Sequence, residues 1–195
     1  MTIQERIQAV LDAEIKAISA IKVTDSFEAA VLAMQACQGK ILTTGIGKAG
    51  LIARKMSATL CSTATPAVFV HPGEAAHGDL GVVAPQDCII AFSTSGKSRE
   101  VIETLELAKH LGLKKVIGIT SHPNSPLREQ SDIVIDMGVI EEPCPLSLAP
   151  SSSIAAMLAI SDAIALALME QKQVSRDDFG LRHHGGYLGR QARTS

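Results

Sequence analysis

The sequence predicts an α/β protein in which a parallel sheet is covered by helices on both faces, and three observations carry this. Short apolar runs of strand length recur at 41–44, 67–70, 88–92, 116–120 and 133–136. Segments with helical spacing lie between them at 47–61, 98–111 and, more weakly, 126–130. Strands alternating with helices make crossover units, and crossovers place helices over both sheet faces. Third, hydrophobic residues make up 46% of the chain and aromatics only 3%, so the core must be packed from Ala, Val, Ile and Leu. With 195 residues the chain suits one domain with a full core rather than two. The expected organisation is a single unit over 1–195, with N-terminal helices in 1–37, an α/β core in 38–174 and a tail in 175–195.

Taken in order, two helices are expected before the first strand, at 3–21 and 26–36, the second capped by Asp25 or Ser26. Continuous runs such as Val-Ile-Gly-Ile-Thr at 116–120 fit strands buried on both faces. After the last strand, Glu141-Glu142-Pro143-Cys144-Pro145 forbids regular helix or central strand through its prolines. The serines at 151–153 then open a long helix that ends near Lys172. Its stretch 154–169 is the most apolar in the chain, yet it is shorter than a bilayer span and contains Asp162, so a core helix is expected. The segment 178–186 reads as a polar, glycine-rich tail.

Composition excludes several function classes. Lys plus Arg number 18 against 20 Asp plus Glu, so no sequence-wide basic field points to nucleic acid. Stacking platforms for single strands are also missing, with no Trp and one Tyr. Cys37, Cys61, Cys88 and Cys144 form no C-x-x-C pair and sit among apolar or small neighbours. Reduced, mostly buried thiols in a cytoplasmic protein are expected. Gln4, Glu5 and Arg6 interrupt any signal-peptide pattern, and no membrane partner is expected.

In open α/β sheets ligands bind beyond the carboxyl ends of the strands. Ser93-Thr94-Ser95-Gly96-Lys97-Ser98-Arg99-Glu100 falls there, directly after the run 88–92. Hydroxyls and the free N–H groups of a helix start suit a phosphate, although Ser followed by Glu is also an ordinary capping pattern. Gly45-Ile46-Gly47-Lys48 occupies the same kind of junction but has neither the third glycine of a dinucleotide fingerprint nor the spacing of a Walker loop. Its glycines let backbone approach a ligand, and Lys48 is either a substrate contact or surface charge. His71 and His77, with Glu74 and Asp79, are read on a loop after the second strand, as metal ligands, polar substrate contacts or structural loop residues; their spacing matches no common zinc signature, so no metal or other cofactor is expected. Glu142 is stiffened by Pro143 and is either a positioned base or an exposed loop residue. His183 and His184, before Gly185-Gly186, are either tail residues or proton carriers for opening a sugar ring.

Together these residues resemble a sugar isomerase (SIS) domain along nearly the whole chain. More narrowly, Gly45-Ile46-Gly47-Lys48, the segment 71–79, Cys144-Pro145-Leu146-Ser147-Leu148-Ala149-Pro150 and the final His-x-Gly-Gly resemble the arabinose 5-phosphate isomerases. The resemblance implies a three-layer α/β/α sandwich on a five-stranded parallel sheet of flavodoxin-like, Rossmann-like type, and assembly as a homotetramer. It implies interconversion of D-ribulose 5-phosphate and D-arabinose 5-phosphate for synthesis of the lipopolysaccharide sugar Kdo. The implied catalytic residues are Lys48, Glu100, Glu142 and His183. Implied substrate contacts are Gly47, Thr65, His71, His77, Ser93, Thr94, Ser95 and Ser98. On this reading Glu142 shuttles a proton between C1 and C2 through a cis-enediol, and His183 assists ring opening. Lys48 and His77 hold substrate oxygens, while Glu100 orients the serine turn.

Three departures from the resemblance stand out. Many relatives carry two CBS domains after His-x-Gly-Gly, so a stand-alone catalytic domain is expected here. Lys97 stands where relatives often have an acidic residue, adding positive charge that can favour an anionic pathway product such as CMP-Kdo. His184 replaces a proline often found before the two glycines. Other readings are a sensor that binds sugar phosphates without turnover, or an isomerase of a different phosphosugar.

Overall fold

The computed structural model describes residues 1–193. Among them five strands, β1 (Ile41–Gly45), β2 (Ala67–Val70), β3 (Cys88–Phe92), β4 (Lys115–Thr120) and β5 (Ile133–Asp136), form one parallel sheet in the order β2-β1-β3-β4-β5. The expected α/β class and five-stranded parallel sheet are therefore present. Register aligns Thr44 with both Val70 and Ala91, and Thr120 with Asp136, so all strands end at a common carboxyl edge.

Helices cover both faces, as the continuous apolar strands require. α1 (Ile3–Ser19), α2 (Asp25–Gln35), α3 (Gly47–Ser62) and α7 (Ser152–Gln171) lie together on one side, and α4 (Pro72–Ala75), α5 (Arg99–His110) and α6 (Pro126–Gln130) on the other. Side chains alternate along each strand. Ile41, Ile90 and Phe92 point into the core with Phe27, Met56, Ile160 and Ile164. Leu42 and Ile89 point the other way, against Val101, Leu105 and Leu127. Full burial of each such side chain contributes roughly 1.5 to 3 kcal/mol.

Local chemistry explains several boundaries. Thr2 and Glu5 close a capping box on α1, with Thr2 N–H donating to Glu5 Oε2 at 2.7 Å and Glu5 N–H donating to Thr2 Oγ1 at 3.2 Å. For α2 the cap is Thr24, one residue before the expected Asp25 or Ser26, because Asp25 is already helical. The segment after β2 is not a loop throughout: Pro72 starts α4, and a 3-10 turn spans Asp79–Val82. The polar tail folds as α8 (Arg176–Arg182) and α9 (Gly186–Arg193), α8 opened by a capping box of Ser175 and Asp178. All four cysteines are free, but only Cys88 is buried. Cys61 is exposed, which corrects the expectation of mostly buried thiols.

α7 governs the geometry of everything after β5. Its length and apolarity would also suit a membrane span, yet Ala156, Met157, Ile160, Ile164 and Leu168 are buried in the core against neighbouring helices. The helix starts at the carboxyl edge of the sheet and runs about 30 Å back across it. At its far end Lys172 Nζ donates to Ala64 O at 3.1 Å and Thr65 Oγ1 at 3.0 Å, just before β2 begins.

Candidate active site

Beyond the ends of β1, β3 and β4 a cleft of about 670 Å³ opens at the point where the strand order reverses. Its floor and walls come from Ile46, Lys48 and Ala49 after β1, Ser93, Thr94, Ser95 and Ser98 after β3, and Ser121, His122 and Pro123 after β4. The segment joining β5 to α7 closes it with Val139, Ile140, Glu142, Pro150, Ser153 and Ile154.

The serine turn is built to expose donors. Gly96 sits at φ +64°, so the chain turns back and Gly96 N–H donates to Ser93 O at 3.0 Å and to Ser93 Oγ at 3.1 Å. Ser121 N–H and Thr120 Oγ1 donate to Thr94 O, and Leu127 N–H donates to Gly96 O, tying the turn to β4 and α6. Ser98 is the N-cap of α5, but its hydroxyl makes no cap bond. It faces Ser93 Oγ at 3.1 Å instead. The ordinary capping pattern is therefore not formed, and no side chain caps the first-turn N–H groups of a 12-residue helix. Such N–H groups at a helix start are free to meet an anion.

Lys48 stands in the first turn of α3, after Gly47 at φ +60°. Glu142 approaches from the opposite wall and caps α7. Its Oε2 accepts the N–H of Ser151 at 2.7 Å and of Ser152 at 2.9 Å, and Oε1 accepts Ser153 N–H at 3.2 Å. Partial burial pushes the Glu142 carboxyl up, but these donors and the nearby Ser153 hydroxyl together outweigh it and hold the group below its ordinary value. A carboxylate so held is charged at neutral pH and weakly basic while it stays on the helix. The Pro143 carbonyl beside it accepts a bond from the Arg6 guanidinium of α1, which braces the segment.

Of the residues singled out in the sequence, the cleft gathers Lys48, Glu142, Ser93, Thr94, Ser95 and Ser98, with Gly47 at its edge. Others lie apart. Glu100 is exposed on the first turn of α5 and does not line the cleft. His71 and His77 follow edge strand β2, both exposed, and His71 Nδ1 accepts Gly73 N–H at 3.2 Å. Thr65 is buried at the opposite edge of the sheet, where it holds Lys172, so this chain's own cleft does not include it. His183 follows α8, stacked on Phe179 with ring centroids 3.9 Å apart. Because α7 carries the chain to the far edge before α8 begins, His183 is not brought to its own Lys48 and Glu142. Among the described residues no group of three or more His, Cys, Asp or Glu side chains gathers as a metal set.

Sequence reading missed Ser121, His122 and Ser153. The first two directly follow β4, so the strand-end rule that found the serine turn also finds them. His122 Nδ1 faces Asn124 O at 3.0 Å and Nε2 faces Lys97 Nζ at 3.5 Å, so Lys97, which lines a neighbouring pocket with Arg99 and Glu103, stands beside a residue of the cleft wall.

The family described as SIS domain matches residues 34–167. Arabinose 5-phosphate isomerase KdsD of Escherichia coli strain K12 is 46% identical over 168 residues, covering 86% of this chain and 51% of that protein. KdsD of Francisella tularensis is 43% identical over 182 residues, covering 91% and 55%. The chain thus spans about half the length of the curated relatives it matches. Among solved structures, an Escherichia coli CFT073 protein in complex with arabinose 5-phosphate has a TM-score of 0.88 at 40% identity, over 94% of this chain and 100% of that one.

Proposed function

The chain belongs to the SIS domain family, and from that premise we propose that it interconverts D-ribulose 5-phosphate and D-arabinose 5-phosphate in the supply of Kdo for lipopolysaccharide. The observation that carries this reading is the convergence of Lys48, Glu142 and the serine turn on one cleft at the switch point of the sheet. Phosphate sits on Ser93, Thr94, Ser95, Ser98 and the start of α5. Glu142 moves a proton between C1 and C2 through a cis-enediol, and Lys48 offsets the enediolate charge. Curated relatives of this chain are named for this reaction.

The test is hydrogen exchange in deuterated water with a panel of ketose phosphates. Fastest exchange at C1 of ribulose 5-phosphate is expected. A faster hexulose or heptulose phosphate would rename the substrate, and no exchange with any ketose would favour a sensor. In the same assay CMP-Kdo is expected to inhibit, less so in Lys97→Glu, because Lys97 pairs with no carboxylate among the described residues and stands beside His122 of the cleft wall.

Assembly as a homotetramer completes the site. On α1, Ile3, Ile7, Leu11, Ile15 and Ile18 stand exposed at helical spacing, an apolar stripe that a second copy would cover. His183, remote from its own cleft, then serves a neighbouring subunit's, together with Glu100, His71 and His77 in supporting contacts. Light scattering is expected to give the mass of four chains, and Leu11→Asp to lower both mass and isotope exchange. Full exchange from a Leu11→Asp monomer would remove the shared site.

A further inference from the structure

Three helix starts face the cleft: that of α3 carries Lys48, and that of α5 takes the phosphate. The third belongs to α7, a 20-residue helix whose first N–H groups point at Glu142. Two buried hydroxyls stand in its first turn. Ser152 is 0% and Ser153 2% exposed, and neither Oγ has a hydrogen-bond partner. A buried hydroxyl without a partner is costly, and such an atom in a cleft wall marks where a ligand polar group completes the bonding. Ser153 lines the cleft, and its hydroxyl lies close enough to the Glu142 carboxylate to favour the charged form without bonding it in good geometry. The seat thus holds three N–H donors and an adjacent O–H, filled at rest by the protein's own anion.

Resting on the isomerase reading, we propose that the start of α7 is the oxyanion site of the reaction, that Ser153 is a catalytic residue in it, and that Glu142 is its resting occupant. The sugar oxygen that becomes negative in the transition state displaces the carboxylate from the N–H groups. The displaced Glu142 loses its hydrogen bonds and becomes a stronger base beside the substrate. Starting from the ketose, the C1–H bond breaks and its proton goes to Glu142. The electron pair forms C1=C2, and the C2 carbonyl π pair moves onto O2, which takes the Ser151, Ser152 and Ser153 N–H groups and the Ser153 O–H. The O1 proton then passes to O2 as C1=O forms, and Glu142 returns its proton to C2. Nothing is oxidised or reduced overall, and Glu142 ends as it began, able to reseat on α7. Substrate entry and activation of the base are one exchange at one set of donors.

Ser153→Ala tests this in the full chain. Its kcat is expected to fall on the order of 10²-fold, with KM and the affinity for inorganic phosphate unchanged. A phosphorylated five-carbon hydroxamate, planar like the cis-enediolate, is expected to lose affinity by the same factor. Ser153→Thr, which keeps the hydroxyl, is expected to recover most of both. An unchanged kcat, or equal losses for phosphate and hydroxamate, would overturn the proposal. If Ser153→Ala does not fold, Ser153→Cys, nearly the same in size but a poor donor, gives the second reading with the hydroxamate: weakened affinity with phosphate binding intact supports the seat, and unaltered affinity opposes it. Where wild-type protein exchanges no ketose proton yet Ser153→Ala still loses hydroxamate affinity, the isomerase reading fails and the oxygen seat stands.

Discussion

Glu142→Gln is expected to lower turnover by roughly 10² to 10⁴ while phosphosugar binding stays measurable. The amide keeps the shape of the side chain, and its carbonyl oxygen can still accept an N–H from Ser151 or Ser152. What it loses is the charge and the ability to take a proton from carbon. Steady-state kinetics should place the loss in kcat, and calorimetry with a substrate phosphate should still report binding. Turnover within a few-fold of wild type would move the base elsewhere.

The same substitution has a pH signature in stability. Partial burial by itself would raise the Glu142 carboxyl, but the donors at the start of α7 together outweigh it and hold the group below its ordinary value in the folded chain. A depressed folded value means that the charged form stabilises the fold above the unfolded value and that this stability is lost as pH falls through the folded one. Wild type is therefore expected to melt above Glu142→Gln at neutral pH, by a free energy of roughly 0.5 to 2 kcal/mol. The gap should close on acidification. A constant gap from neutral to acid pH would mean the carboxylate is not what caps α7.

Gly96→Ala is the second large effect, and it reports on the phosphate seat. At φ +64° an alanine adopts the left-handed region, and its Cβ would collide with the Ser125 side chain and lie 2.9 Å from Thr120 Oγ1. Backbone strain of roughly 1 to 2 kcal/mol and overpacking of roughly 1 to 3 kcal/mol add, because the Cβ meets Ser125 Cβ as well as its hydroxyl and Thr120 Oγ1 is itself tied to the turn through Thr94 O. A loss of stability by about 2 to 5 kcal/mol, read from the denaturant midpoint, is expected, with weakened phosphate binding. Gly138→Ala is the control: φ is +75°, but nothing lies within 4 Å of its Cβ, so only the strain remains. Equal losses in the two variants would show that close packing around Gly96 is not what shapes the seat.

Much of the fold was legible along the chain. The apolar runs at 41–44, 88–92 and 116–120 lie within strands buried on both faces, where alternation is not needed, so they stand out as continuous blocks. The helix over 152–171 was legible because its serines precede a long apolar stretch broken only by Ser161 and Asp162 before Glu170. The missed boundaries were local competitions. Thr24 rather than Asp25 caps α2, and Pro72 turns a loop into α4, where several residues can each start a helix and the neighbours decide.

The candidate site divides along the same line. Residue types written into a single segment were readable: hydroxyls around Gly96, lysine beside Gly47, a carboxylate held by Pro143. Their chemistry follows from local backbone, and a strand end puts each at the same edge. Which of them meet does not follow, because it depends on the direction of α7. That helix brings Glu142 and the Ser153 hydroxyl to the cleft at one end and carries Thr65's partner Lys172, and then His183, to the other. Chain order therefore established the kind of fold, the serine turn at the carboxyl edge of the sheet and the family resemblance. The packed structure alone decided that Glu142 rests as an anion on α7, with its proton-accepting pair engaged by three N–H groups, because that contact joins a loop to a helix start only when both are folded onto the same sheet edge.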